Sequence, residues 1–569
     1  MLAFFQTIHP SIKDMSETIL IKIRERKELI ANIALIGLIL LAIYLRVKNL
    51  GLSLFFGEEE HYIFISNYIL KTFPYFGSFF LHTSNFPAIA TLGPMPFYIF
   101  ALPLIISKNP LSVTFLIALL NILAVILCYG FVKVFFNRRI ALITTALFAV
   151  SPWAVACARK IWNPYMVLPF IILFYYTFFL ALFKNKQKYL ILSFIISAFS
   201  IQLCQICYAL IPSLILGIYF FRRQLRKRYT IIGAACFILL YLPQFFLESK
   251  SDFYLYNWLT DRLLTSNFKE MINALAIHLK PISYFNSVSK VSYWLGIILF
   301  ILGLIVIIKR YLLSYILARK ERSKEYLKYI LVLSWTFAPL LLLMLFRQNC
   351  DPTDHHYSIS IFPAQFIIMA IGLDYIAKQK IFKSFSLKPF VFIIVITIIS
   401  LQSIGIIRLH RQIDREGIIY ETWPYGDVPL RYKINIVKYI IHDSSNNKLI
   451  FEKNIHTLIA IAPDYYALVG YWYLFNFFSK EVGEKEIPPK YFDVPVHYII
   501  IHKERNNLDS LKRWASLNNV EIYVNDINAN LKVIKINSEE NFNKFKSAFG
   551  VADTEYEYYT KDTRFQNLF

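Results

Sequence analysis

Three short stretches of this chain collect side chains that could exchange protons or hold an anion. The first is Gly57-Glu58-Glu59-Glu60-His61-Tyr62. Adjacent carboxylates raise one another's pKa when water is withdrawn, which suits a base that takes a proton from a hydroxyl, or a cation site. A solvated charge run is the plainer alternative. The second is Ala158-Arg159-Lys160-Ile161-Trp162-Asn163-Pro164. Arg159 brings a forked guanidinium and Lys160 a point charge, both suited to phosphate. The alternative is two interfacial side chains reaching for water beside a Trp anchor. The third is Arg347-Gln348-Asn349-Cys350-Asp351-Pro352-Thr353-Asp354-His355-His356-Tyr357. Asp and His are ordinary ligands of divalent cations, but neighbours on a regular helix face different ways, so His355 and His356 cannot chelate together without a bend. That geometry favours phosphate or sugar contact and leaves a divalent cation open.

The chain carrying these stretches is not composed like a soluble protein. Of its 569 residues 57% are hydrophobic and 17% charged, with mean hydropathy +0.49; a soluble domain has about 25% charged residues. The apolar residues gather in runs at about 29–46, 111–136, 139–157, 164–183, 188–205, 207–221, 229–247, 291–308, 329–346, 356–377 and 388–407. Most approach the ~20 residues that cross a bilayer core. A net charge of +23 would suggest nucleic acid in a soluble chain, but the basic residues lie in short loops such as RRQLRKR at 222–228. Orientation in a membrane explains them, and nucleic acid is set aside. Five of the six cysteines fall in the apolar runs, and Cys204-Gln-Ile-Cys207 has no second pair to complete a metal site. The first run follows IKIRERKEL without a small-residue cleavage site, so it reads as a retained span.

A further run at 97–106 is short and holds Pro103, with Pro96 just before it. If it does not cross, the strongly basic loops share one side and the GEEEHY and CDPTDHH loops share the other. The expectation is therefore a polytopic α-helical membrane protein of about 11 spans, N-terminus cytoplasmic, C-terminus outside, with 97–106 an interfacial or re-entrant helix. The first external loop is 47–110, and 248–290 reads as external helices at headgroup level. Beyond 408 the composition turns soluble. KLIFEK, VHYIIIHK, VEIYVND and LKVIKIN read as strands, and INIVKYIIHD and LDSLKRWASL as helices. The predicted division is a membrane domain, 1–407, and an extracytoplasmic soluble α/β domain, 408–569.

This topology brings all three polar stretches to the outer face. A carboxylate that deprotonates an acceptor hydroxyl, with cations that neutralise a departing phosphate, is what glycosyl transfer from a polyprenyl phosphate donor requires. No Gly-rich nucleotide loop is present in the sequence. A lipid or polysaccharide transporter or flippase would want ionisable residues within the spans and internal repeats. An O-antigen polymerase- or ligase-like protein would not need GEEEHY so soon after the first span.

Over roughly the first 400 residues, the order of FFGEEEHY, TLGPMPFYIFALP, SPWAVACARKIWNPYMVLPF and DHHYSISIFPAQFI resembles the C-type (GT-C) membrane glycosyltransferases, in the branch with protein O-mannosyltransferases and aminoarabinose transferase. The resemblance implies a multi-pass cell-envelope enzyme of the plasma or inner membrane. Its donor would be a polyprenyl phosphate-linked sugar and its acceptor a lipid, glycan or protein hydroxyl, transferred with inversion. It implies a first-loop acid as base, with Glu58 the best positional match and Glu59 second; Glu in place of the family's usual Asp leaves open which carboxylate acts. It implies donor-phosphate contacts from Arg159 and His356 and a pocket shaped by Tyr357; Lys160, Asn163, Arg347 and His355 join them as candidate substrate-binding residues. No cofactor is implied. The C-terminal segment shows no specific match.

Overall fold

The computed structural model describes residues 2–55, 57–72, 93–250, 253, 256–257, 260–261, 269, 290–312, 324–346, 359–381, 385–417, 428–446, 457–460, 473–474, 477–478, 497–502, 508–528 and 530–549. Helices dominate. The first two are α1 (Leu2–Val47) and α2 (Gly57–Thr72). The short run forms α3 (Met95–Ile106), a 12-residue helix whose Leu102, Ile105 and Ile106 are exposed. Next, α4 (Pro110–Phe135) starts on the Asn109 side chain, which accepts from the Leu111 N–H, with Pro110 in a first-turn position that needs no donor.

The run 139–157, read as one span, is two helices. In α5 (Arg138–Ala149), Asn137 caps the start, and the helix stops before Ser151. The Ser151 hydroxyl then accepts from the Ala154 N–H and Pro152 opens α6 (Pro152–Cys157), a fresh start that a continuous helix cannot accommodate. The run 164–183 likewise divides into α7 (Asn163–Met166) and α8 (Leu168–Phe183), each with a proline in its first turn. Then follow α9 (Lys188–Leu203), a 3-10 turn over Gln205–Ala209, α10 (Leu210–Phe221) and α11 (Lys227–Lys250). The membrane part continues with α12 (Lys290–Val306), α13 (Lys324–Phe346) and α14 (Phe362–Lys378), and a short hairpin of β1 (Lys380–Ile381) and β2 (Phe385–Ser386) leads to α15 (Lys388–Glu416). Among the described residues, 5 helices are long and apolar enough to cross a membrane; several other predicted spans appear as apolar helices of 10–17 residues. The protein is an integral membrane protein by this composition. Helix α14 is central, with nearly every side chain buried. Gly303 of α12 lets it approach closely, since a Cβ there would lie 2.1 Å from the Ile368 carbonyl oxygen.

Helix α15 runs past the last apolar run to Gly417, whose φ of 75° ends it in the left-handed conformation. Helix α16 (Leu430–Asn446) follows. The four-stranded sheet has the order β3-β4-β6-β5, made of β3 (Thr457–Ala460), β4 (His497–His502), β5 (Ile522–Asp526) and β6 (Leu531–Ile536). β3 and β4 are parallel, and the other pairs antiparallel. Three of the four predicted strands are observed; KLIFEK lies outside the described residues. Alternation along β6 splits its two faces. Ile534 and Ile536 pack with Leu511 of α17 (Leu508–Leu517) and Phe545 of α18 (Glu539–Phe549). Val533 and Tyr498 join α16 and the membrane helices in the main core. Asp443 of α16 fixes that face, accepting from the Tyr498 hydroxyl and pairing with Lys535, both at 2.6 Å.

Candidate active site

The site is assembled where α1 ends. The last carbonyls of a helix lack intrahelical partners, and here Arg159 binds one of them and two carbonyls just past the end of α1. Its guanidinium donates to the Lys48 carbonyl at 2.7 Å, to Arg46 at 3.3 Å and to Asn49, which sits in a left-handed turn with φ 56°. Burial, with the nearby Arg431 charge second, holds the Arg159 pKa down at about 10, so it stays protonated at neutral pH. Arg46 does the same for α5, donating to Ala149 at 2.8 Å and Phe148 at 3.1 Å. Arg159 is therefore committed to the turn that follows α1.

After that turn, residues 53–55 are held by α16. The Leu430 N–H donates to the Ser53 carbonyl at 2.9 Å, and the buried Lys433 ammonium donates to the Phe55 carbonyl at 2.7 Å. Helix α2 then begins, with Glu58, Glu59 and Glu60 in its first turn, where the helix dipole favours negative charge. Consecutive helical residues point different ways, so the run divides. Glu60 accepts from the Tyr473 backbone N–H at 2.7 Å. Glu59 turns inward, with 0% side-chain exposure, and its Oε1 lies 3.3 Å from Lys160 Nζ. That ammonium also sits 3.9 Å from the Trp162 ring centre.

Asn163 is a clamp. It accepts from the Tyr62 hydroxyl at 2.8 Å and donates to the Leu203 carbonyl at 2.8 Å. The Tyr62 ring packs on Phe97 and Phe100 of α3. One tyrosine thus ties α2, α3 and the 158–164 stretch together.

Of the residues singled out from sequence, the structure joins Glu59 and Lys160, and sets Arg159 and Asn163 beside them in framework roles. The Glu58 carboxylate and all of Arg347, His355, His356 and Tyr357 lie outside the described side chains. Among the described residues no group of three or more His, Cys, Asp or Glu is disposed to hold a metal. Sequence reasoning missed Lys433 and Tyr473, and gave Tyr62, the last residue of the first stretch, no role of its own. Lys433 carried a readable signal: it interrupts the apolar stripe Leu430, Ile434, Val437, Ile441 of an amphipathic helix. Tyr473 carried none.

A desolvated carboxylate against a lysine ammonium can accept a proton from a hydroxyl and neutralise an anion in the same space. Residues 91–246, which include Lys160 and the Asn163 clamp, match the family model of dolichyl-phosphate-mannose-protein mannosyltransferases. Over that stretch, less than half of its length, the chain is similar to a glycosyltransferase family of the mannosyltransferase type. Among solved structures, the chain is similar to the Archaeoglobus fulgidus oligosaccharyltransferase in complex with Zn and sulfate, with 15% identity, TM-score 0.47, and coverage of 78% of this chain and 61% of that one. It is also similar to ArnT from Cupriavidus metallidurans bound to undecaprenyl phosphate, with 10% identity, TM-score 0.47, and coverage of 90% and 98%. The chain thus spans less than two thirds of the oligosaccharyltransferase and nearly all of ArnT. No curated protein sequence matches it.

Proposed function

We propose that this protein transfers a sugar from a polyprenyl phosphate-linked donor to a hydroxyl of a lipid, glycan or protein, on the extracytoplasmic side of the plasma or inner membrane. The observation that carries the reading is the buried Glu59–Lys160 pair, 3.3 Å apart, which joins the first-loop acid to a cation from a segment 101 residues away. The acceptor oxygen attacks the anomeric carbon as the bond to the phosphate oxygen breaks. The hydroxyl proton passes to Glu59, and the electron pair leaves with the polyprenyl phosphate, whose charge Lys160 offsets. A single displacement inverts the anomeric centre. Glu59 is taken as the base in this reading because its carboxylate lies beside the cation; Glu58, the best positional match by resemblance, has its carboxylate outside the described side chains.

The eleven-span topology, with the N-terminus cytoplasmic and residues 408–569 outside, belongs to this proposal, as do substrate contacts from Arg347, His355, His356 and Tyr357. A divalent cation enters it through the carboxylates of the first stretch or through Asp351, Asp354, His355 and His356. The test is mass spectrometry of glycans and lipids from cells with and without the protein. One defined sugar residue should disappear on deletion, return with the wild type and stay missing with Glu59→Gln. An unchanged glycome with a redistributed lipid would replace transfer by lipid flipping.

A further inference from the structure

Polar side chains gather at a second place, where α9 meets the outer end of α11. Tyr241, Gln244 and Glu248 share one face of α11 at spacings of three and seven residues. Gln202, in the last turn of α9, and Tyr208, in the 3-10 turn that follows, meet them. The Tyr208 and Tyr241 hydroxyls are 2.7 Å apart, and Glu248 lies within electrostatic reach of both. Gln202 Nε2 donates to the Leu240 carbonyl at 2.5 Å, one turn from Gln244. Gln202, Gln244 and Glu248 are 1%, 2% and 6% exposed. The Oε1 atoms of Gln202 and Gln244 are buried with no hydrogen-bond partner among the described residues.

Folded interiors rarely keep empty acceptors, and polar groups this close to a bilayer core are commonly functional. The cluster adjoins the candidate active site. Leu203, next to Gln202, is the residue whose carbonyl receives the Asn163 amide, and Asn163 in turn holds Tyr62. The first external loop descends onto it at Gly93, where a Cβ would lie 2.6 Å from the Gln202 carbonyl oxygen. The lining is rich in acceptors: two amide oxygens, a carboxylate and two phenols. Tyr241, stacked on Phe237 with ring centres 6.1 Å apart, adds an aromatic face. Such a lining fits a ligand that brings several O–H donors and an apolar C–H face.

We propose that Gln202, Tyr208, Tyr241, Gln244 and Glu248 form a binding site for a hydroxylated sugar ring. The proposal rests on the transferase reading in taking that ring to be the donor's or the acceptor's. Gln244→Met removes one empty acceptor and keeps the side chain's length. In purified protein without ligand it raises the melting midpoint by a few degrees; a lowered midpoint means Gln244 is already satisfied in the resting protein and overturns the proposal. Wild-type protein is then melted with methyl α-mannoside, methyl β-glucoside and N-acetylglucosamine. At least one raises its midpoint, and the rise is lost in Gln244→Met and in Tyr208→Phe, which keeps the ring and loses only the hydroxyl. No rise with any sugar, or a rise retained in both variants, overturns the assignment. With polyprenyl-phosphate mannose as donor, a KM about tenfold higher for the donor identifies its sugar as the ligand, the same change for the acceptor identifies a glycan acceptor, and no change in either is a refutation. Failure of the wild type to transfer counts against the transferase reading alone, since the melting measurements judge the cluster separately.

Discussion

Replacing Lys160 by Met tests whether one ion pair both builds and runs the site. At 3.3 Å and an effective dielectric of about 20, the attraction between the two charges is on the order of 5 kcal/mol. Desolvation of both groups offsets part of it, leaving a coupling of about 2–4 kcal/mol. Removing the ammonium alone strands a carboxylate with 0% side-chain exposure, and breaking a buried pair from one side costs about 3–5 kcal/mol. Lys160→Met should therefore be strongly destabilised, as should Glu59→Gln to a smaller degree. The double variant should recover about 2–4 kcal/mol relative to the sum of the singles. Activity should behave differently. If Glu59 takes the proton and Lys160 the leaving charge in one step, either single variant lowers kcat by about a thousandfold, and the double variant is little worse than the poorer single. The assay is transfer from a radiolabelled polyprenyl phosphate sugar in proteoliposomes, beside a denaturation series on the same four proteins. Additive stabilities would mean that the two charges do not interact. A Glu59→Gln enzyme with near-normal kcat would remove Glu59 as the base, whatever its effect on folding.

Lys433→Met removes the charge-assisted bond to Phe55, worth about 1.5–3 kcal/mol; amide exchange over residues 52–60 should quicken tenfold or more, and unchanged protection would show that α16 does not hold the loop. Gly303→Ala puts a methyl 2.1 Å from the Ile368 carbonyl and should lower stability by about 1–3 kcal/mol, whereas Gly130→Ala, with nothing within 4 Å, should be neutral in the same melting assay. Cysteines introduced at positions 58 and 356 should both react with a membrane-impermeant maleimide applied from outside; labelling from opposite faces would dismantle the shared chamber.

What could be read from sequence follows from which forces are local. Apolar runs disclose membrane helices because the bilayer demands length and composition together, and most runs correspond to helices. Helix interruptions were harder. Ser151-Pro152 reads as an N-terminal cap and a first-turn proline only once the helix is known to restart there. The three carboxylates were legible as a group, but their individual fates depend on rotation around α2 and on partners far along the chain. Glu60 meets a backbone N–H 413 residues away, a distance at which no local pattern survives.

Arg159 and Lys160 make the same point from the other side. Adjacent cations in one loop look interchangeable for binding a phosphate, yet they do different work. The end of α1 and the turn after it present the carbonyls of Arg46, Lys48 and Asn49, and the forked guanidinium reaches all three at once. A lysine, with a single nitrogen, cannot span that set. Once Arg159 is spent on the turn, Lys160 is the cation left to face Glu59, and its one compact charge suits a partner that must be released when an anion arrives. The division of labour follows from donor geometry, so the pair should not tolerate exchange even though its total charge would be unchanged.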